Sequence, residues 1–263
     1  MRPLLPRQAG IWLFLFLAVG VAVAASFIPR IDLPPSYHHF ADQRGFLGIP
    51  NFGDVASNVA FLVAGVLGLL FLAMKSSAGK FIHAHERWAY FLVFLGLVLT
   101  AFGSAYYHLA PDNTRLVWDR LPMTIVFMPL VAAMVAERAN LKLGLWLLPV
   151  LTALGIGSVI QWHLTVQQGA GDLRFYGAVQ VYAMLALVAA LLLPSRYTGT
   201  ADLVWVIVFY AIAKVAELAD RQIFSLGHIV SGHTIKHLSA AASGYCILRM
   251  LQRRKPIPDY VTR

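Results

Sequence analysis

The sequence predicts an all-α polytopic membrane helical bundle, and three observations carry that prediction. Its 263 residues are 59% hydrophobic and only 13% charged, and the mean hydropathy of +0.69 is too high for an ordinary soluble domain. The apolar residues fall in eight runs of about twenty, the length that crosses a ~30 Å hydrocarbon layer at ~1.5 Å of rise per residue. Charged residues sit in short patches between those runs, which assigns the formal charge of +9 to membrane loops and excludes a nucleic-acid-binding surface. The single cysteine, Cys246, excludes an intramolecular disulfide and any cysteine-based metal cluster, so a metal here requires His and carboxylate ligands.

In chain order the runs cover 11–28, 55–74, 88–110, 115–136, 143–161, 175–193, 201–220 and 226–248. They are read as helices because lipid cannot satisfy exposed backbone N–H and C=O groups. The first run follows Arg2 and Arg7 and ends in Ala22-Val23-Ala24-Ala25-Ser26, a pattern shared with cleavable signal peptides. It is long for a signal sequence, so residues 1–28 read as a retained signal-anchor or extra transmembrane helix. Residues 29–54, with Pro34-Pro35, Tyr37-His38-His39 and Ile49-Pro50-Asn51, form a connection long enough to cap one end of the bundle. The transmembrane core then occupies 55–248 and a basic tail 249–263.

Sorting Lys and Arg by loop gives thirteen on the side of the two termini and five on the other, with Arg120, Lys214 and Lys236 inside runs. The more basic side faces the cytoplasm. Both termini are therefore expected in the cytoplasm, the 29–54 connection outside it, and the chain in the cell (inner) membrane.

Ionisable side chains inside membrane segments are expensive, so their positions point to function. Ser104 and His108 fall near the outer end of the third run, Asp119 and Arg120 near the outer start of the fourth, and His233, Lys236 and His237 near the outer start of the eighth. Ser57 and Asn58 begin the second run on the same side. At ~1.5 Å per residue, His108 and Asp119 lie about 3 and 6 Å below the boundary, and the short Pro111-Asp112-Asn113-Thr114 connection makes their helices antiparallel neighbours. Ser104 shares the face of His108, one turn deeper. The i,i+4 spacing of His233 and His237 stacks two imidazoles on one face as a chelating pair, and a third His from another helix completes the pattern of a catalytic zinc site.

Plainer readings exist for several of these residues. Ser104, within Gly103-Ser104-Ala105, fits close helix packing when read alone. Asp119 and Arg120 fit a helix N-terminal carboxylate beside an interfacial arginine. Lys214, Glu217 and Asp220, three residues apart, read as a self-neutralising set, with support of the metal ligands as the alternative. His83 and His85 read as solvated loop residues. His163 and His228 read as loop residues on the outer side, and neither these nor His38 and His39 carry a strong signal of lining an entrance.

Taken together, the motifs resemble the alkaline ceramidase family and the wider membrane hydrolase superfamily that includes the adiponectin receptors. The matching pieces are Asn51 through Ser57-Asn58 with Phe61, then Gly103-Ser104-x3-His108, then Asp119 with Leu121-Pro122-Met123, then Ser231-Gly232-His233-x3-His237. The resemblance covers about residues 40–250 and implies a seven-helix core, which leaves the first run as one additional N-terminal helix. It makes His108, His233 and His237 the zinc ligands, with Ser104 and Asp119 the catalytic partners of the reacting group. It departs from the eukaryotic members at their N-terminal calcium segment, where this chain reads Asp42-Gln43-Arg44-Gly45 and has Asn51 in place of an acidic residue, so zinc is expected and calcium is not assigned.

The expected activity is zinc-dependent hydrolysis of the N-acyl bond of ceramide or a ceramide-like lipid, with Asp119 as proton carrier and Ser104 as oxyanion donor. The membrane bilayer and the lipid substrate are the partners this implies. A receptor or transporter with a structural zinc is the rival reading, marked by a closed four-ligand site. An ion or proton path through Lys214, Glu217 and Asp220 requires polar residues deeper in the bundle, and the sequence has few.

Overall fold

The computed structural model describes residues 4–258, and every regular element in that range is helical. Arg2 and Arg263 of the charge count, and the end of the basic tail, lie outside the described residues. The elements are α1 (Ala9–Phe27), α2 (Phe52–Ala56), α3 (Val59–Ala73), α4 (Arg87–Leu109), α5 (Asn113–Arg138), α6 (Leu141–Gln167), α7 (Arg174–Leu192), α8 (Thr200–Leu218), α9 (Asp220–Ser225) and α10 (Gly232–Arg253). Six spans are long and apolar enough to cross a membrane: α1, α2 with α3, α4, α5, α6 and α7. Helices α8 and α10 have 19 and 22 residues, but their apolar runs carry Asp202, Lys214 and Glu217 on the first and Lys236 and Arg249 on the second. The eight predicted runs thus become eight long helices, six of which are membrane-like by composition.

Two boundaries differ from the expected ones. Helix α6 runs on through Gln167, so His163 lies on a helix, beside Gln167 at 3.0 Å, and not in a loop. Nothing between Gln161 and Gln167 breaks a helix, and polar residues let it outlast the apolar run. Helix α10 starts at Gly232, six residues after the run begins, because His228 takes a left-handed φ of 54° and Ser231 caps the helix, accepting from Thr234 N at 2.9 Å. At its far end α10 continues through Arg253, taking in Arg249, which pairs with Asp202 at 2.7 Å. Asp112 and Asn140 cap α5 and α6 in the same way as Ser231 caps α10.

Helices α3, α4, α5, α6, α7, α8 and α10 close into a ring of neighbours, with α5 the most enclosed. Helix α1 lies outside this ring against α7 and is barely buried. A close approach between α4 and α5 sets the geometry of the site. Pro122 has no N–H to offer the carbonyl of Trp118 one turn back, and Gly103 brings the α4 backbone onto that free oxygen. A Cβ at position 103 would overlap it. Gly103→Ala is therefore expected to destabilise the fold by about 2 kcal/mol, checked by thermal unfolding in detergent, because it forces apart the two helices that carry Ser104, His108 and Asp119.

The opposite end of the bundle holds both described termini. Leu4 and Leu5 donate to Leu192 O, and Thr198 N donates to Lys255 O at 3.0 Å. Several cations counted as loop charges are buried here. Arg138 donates to the carbonyls of Ala190 and Leu193 at the end of α7, and Arg87 donates to Leu72 O at the end of α3. Arg254 is fully buried, paired to Glu137 at 2.5 Å and enclosed by the rings of Phe81, Tyr90 and Tyr197. Basic residues at this end thus fasten helix ends.

Candidate metal centre

Three imidazoles converge at the other end. His108 sits in the last turn of α4, and His233 and His237 occupy the first two turns of α10. All three are buried, and one nitrogen from each lies within 4.8 Å of the others. His108 Nε2 and His233 Nε2 are 3.2 Å apart. Two nitrogens bound at ~2.0–2.1 Å to a tetrahedral ion stand about 3.3 Å apart, so this spacing fits two ligands of one metal. The group can hold a metal ion, and the residues present fit one.

A neighbouring side chain fixes the ring of His237, and others hold the backbones of His233 and His108. Ser57 lies at the break between α2 and α3, and its hydroxyl donates to Asp54 O at 3.0 Å. It therefore accepts from His237 Nδ1–H at 2.8 Å, which leaves His237 Nε2 with a free lone pair facing inward. The backbone N–H of His233 donates to Asp220 Oδ1 at 2.8 Å, and Asn51 Nδ2 holds His108 O at 2.8 Å. Phe61 packs edge-on to the His237 ring. Gly232 allows α10 to begin directly against the Ala216 carbonyl of α8, a place with no room for a Cβ.

The 29–54 connection, expected to be long enough to cap one end of the bundle, covers two of the histidines through Phe40. Phe40 lies on the rings of His108 and His233, with centroids 4.6 and 4.5 Å away. His38 Nε2 donates to Asn113 Oδ1 at 3.0 Å and its Nδ1 accepts from Tyr107 O–H at 2.9 Å, while burial pushes this imidazole below its ordinary pKa. Ala41 N donates to Asp220 Oδ2. Arg44 clamps Asp42 through Nε and Nη2 and donates to the carbonyls of His228 and Ile229, and its hydrogen bonds hold the Asp42 carboxyl below the usual range. The guanidinium thus draws the Asp42 carboxylate and the His228 and Ile229 carbonyl oxygens together. His38 and His39 line an outer pocket of about 500 Å³ with Gln43, Asn51 and Asp112.

Ser104 and Asp119 are both buried beside the triad's helices. Thr100, one turn deeper on α4, returns its hydroxyl to Gly96 O, whereas Ser104 Oγ has no partner among the described residues. A packing residue has no need of such an unpaired hydroxyl, and burying one is costly. Asp119 lies six residues into α5, and the capping task falls to Asp112, so Asp119 is not the helix N-terminal carboxylate. It accepts no hydrogen bond from the described residues and is close enough to act electrostatically on Tyr107, Arg120 and Lys236. Arg120 is buried among Tyr37, Trp162 and Tyr176, 4.6–5.4 Å from their ring centres.

Other expectations divide. Lys214 and Glu217 pair at 2.8 Å as expected, but Asp220 leaves that set and holds the backbones of Ala41 and His233. His83 and His85 are exposed, and His228 lies in the turn that Arg44 binds. Sequence reasoning missed Asp54, whose Oδ1 accepts from Ser231 and Thr234, although a lone acid opening an apolar run was a usable signal. It missed Phe40 with no signal to find it. Below the histidines lies an apolar cavity of about 70 Å³, bordered by Phe61, Thr100, Met123, Met184, Tyr210 and Gly244.

Comparison of the chain with protein-family models, curated proteins and solved structures returned no match. Its function is therefore argued from the site.

Proposed function

We propose that the chain is a membrane-embedded, zinc-dependent amide hydrolase of the alkaline ceramidase type that cleaves the N-acyl bond of ceramide or a ceramide-like lipid. The observation that carries the reading is the convergence of three buried imidazoles at one end of the bundle, with the unpaired Ser104 hydroxyl and the Asp119 carboxylate buried on α4 and α5. Three converging histidines suit zinc and leave a position open, which favours catalysis over the closed structural site of a receptor or transporter.

All eight long helices cross the membrane in this reading, α8 and α10 turning their ionisable groups inward, as a seven-helix core with α1 added. The Lys/Arg split supports a location of the histidines in the extracytoplasmic leaflet of the cell membrane. That depth matches a substrate whose amide lies near its head group. The apolar cavity beneath, about 70 Å³, has room for only the first few carbons of an acyl chain, and a longer chain would need its walls, Met123 and Met184 among them, to yield.

Zinc, when bound, supplies Lewis acidity and an ionised water near neutral pH. The chain's own residues do the rest. Asp119 takes a proton from the attacking water and returns it to the leaving nitrogen, and Ser104 donates its hydroxyl hydrogen to the carbonyl oxygen as negative charge develops. Ser57 holds His237 in the ligating tautomer, and Phe40 keeps bulk water off two of the rings.

The test is product analysis on a panel of N-acyl lipids with the purified protein, before and after chelation. Release of long-chain amine that stops on chelation and returns with zinc is the expected result. Absence of cleavage across the panel by zinc-loaded protein would remove the reading.

A further inference from the structure

Lys236 lies between the two ligating histidines of α10, and the chemistry above gives it no task. Its side chain is only 15% exposed. Nζ lies 2.8 Å from Glu217 Oε1 and 3.4 Å from His233 Nε2, a nitrogen that also faces His108. The ion pair does not by itself account for it, because Glu217 already has Lys214 at 2.8 Å on its other oxygen. A second ammonium buried beside one shared carboxylate is costly unless it meets a further anion. Asp54 and Asp119 act on it electrostatically but neither bonds to it, and Asp54 Oδ1 is taken by Ser231 and Thr234.

An ammonium has three donors, and among the described residues one serves Glu217 and one points at the His233 lone pair. That lone pair is also the one a metal would take, so with a metal bound two of Lys236's three donors are without a partner among the described residues, beside His233. We infer that Lys236 is the anion-binding side chain of this pocket, with Glu217 occupying one of its three donors. The site then accepts a ligand whose carboxylate, present or forming, lies beside the imidazoles.

This deepens the amide-hydrolase reading and rests on it. In that reaction the C–N bond breaks and a water oxygen bonds to the acyl carbon. Both water hydrogens end on the leaving nitrogen, giving an ammonium and a fatty-acid carboxylate. The carboxylate is the product that Lys236 would hold.

The experiment compares binding of palmitate and of hexadecanol, its neutral counterpart, to zinc-loaded full-length protein in detergent. Lys236→Gln is expected to weaken palmitate by about tenfold or more and hexadecanol by less than about twofold, the scale of losing a charge-assisted hydrogen bond. Lys236→Arg should keep palmitate binding. Glu217→Gln, which frees the ammonium, should keep or strengthen it, the opposite of what general damage to the pocket produces. Unchanged palmitate affinity in Lys236→Gln, or equal loss of both probes, overturns the inference, as does palmitate weakened by Glu217→Gln if Lys236→Gln does not fold. Selective palmitate binding in a protein that cleaves no amide keeps the inference and removes the hydrolase. Amide cleavage with normal palmitate binding in Lys236→Gln does the reverse.

Discussion

Asp119→Asn is expected to keep the fold and its metal while losing amide hydrolysis by about 10²-fold or more, the usual scale for a general base. The substitution is close to isosteric. In the structure the carboxylate accepts no hydrogen bond from the described residues and lies outside the three-histidine group, so neither packing nor ligation depends on its charge. Its position on α5 is set by the Gly103–Trp118 approach, which the change leaves intact. What is lost is the group that takes the water's proton, since an amide cannot accept it at neutral pH. Paired assays of zinc content and long-chain amine release check this. Near-normal turnover in Asp119→Asn would mean that another group is the base, and loss of zinc would place Asp119 among the ligands and favour a closed structural site.

The double substitution His233→Ala/His237→Ala is expected to remove the metal and all hydrolysis. These residues supply two of the three converging nitrogens, and no single imidazole retains an ion that a three-ligand site holds. The variant also leaves the Ser57 hydroxyl without its partner and opens space beneath Phe40, so a lower melting temperature accompanies the loss. Metal analysis reads the outcome, with about one zinc per chain expected in the parent protein. Full zinc in the double variant would reject the site.

The parts of the site that could be read from sequence are those that violate the bilayer's chemistry. His108, Asp119, His233 and His237 interrupt apolar runs, and helical rise and face suffice to bring them to one depth. What escaped is what depends on contacts far apart in the chain. Phe40 covers imidazoles on two different helices, Ser57 meets a histidine 180 positions away, and Asp220 serves Ala41 and His233 at once. Local periodicity reports none of these. Arg120 and Arg254 illustrate the same limit: as charges they belonged at an interface or in a tail, and only the tertiary arrangement supplies the aromatic rings that accept them inside. The late start of α10 and the long end of α6 were hidden because apolar runs mark membrane thickness, whereas caps and polar turns mark helix ends.

The most direct measurement of the central claim is incubation of the purified, zinc-loaded protein with ceramide in heavy-oxygen water, followed by mass spectrometry of the fatty acid. Fatty acid and long-chain base are expected in equal amounts, each fatty acid carrying one solvent oxygen in its carboxylate, and chelation is expected to stop both. Zinc-loaded protein that releases no fatty acid, or releases it without the solvent label, would contradict zinc-dependent amide hydrolysis.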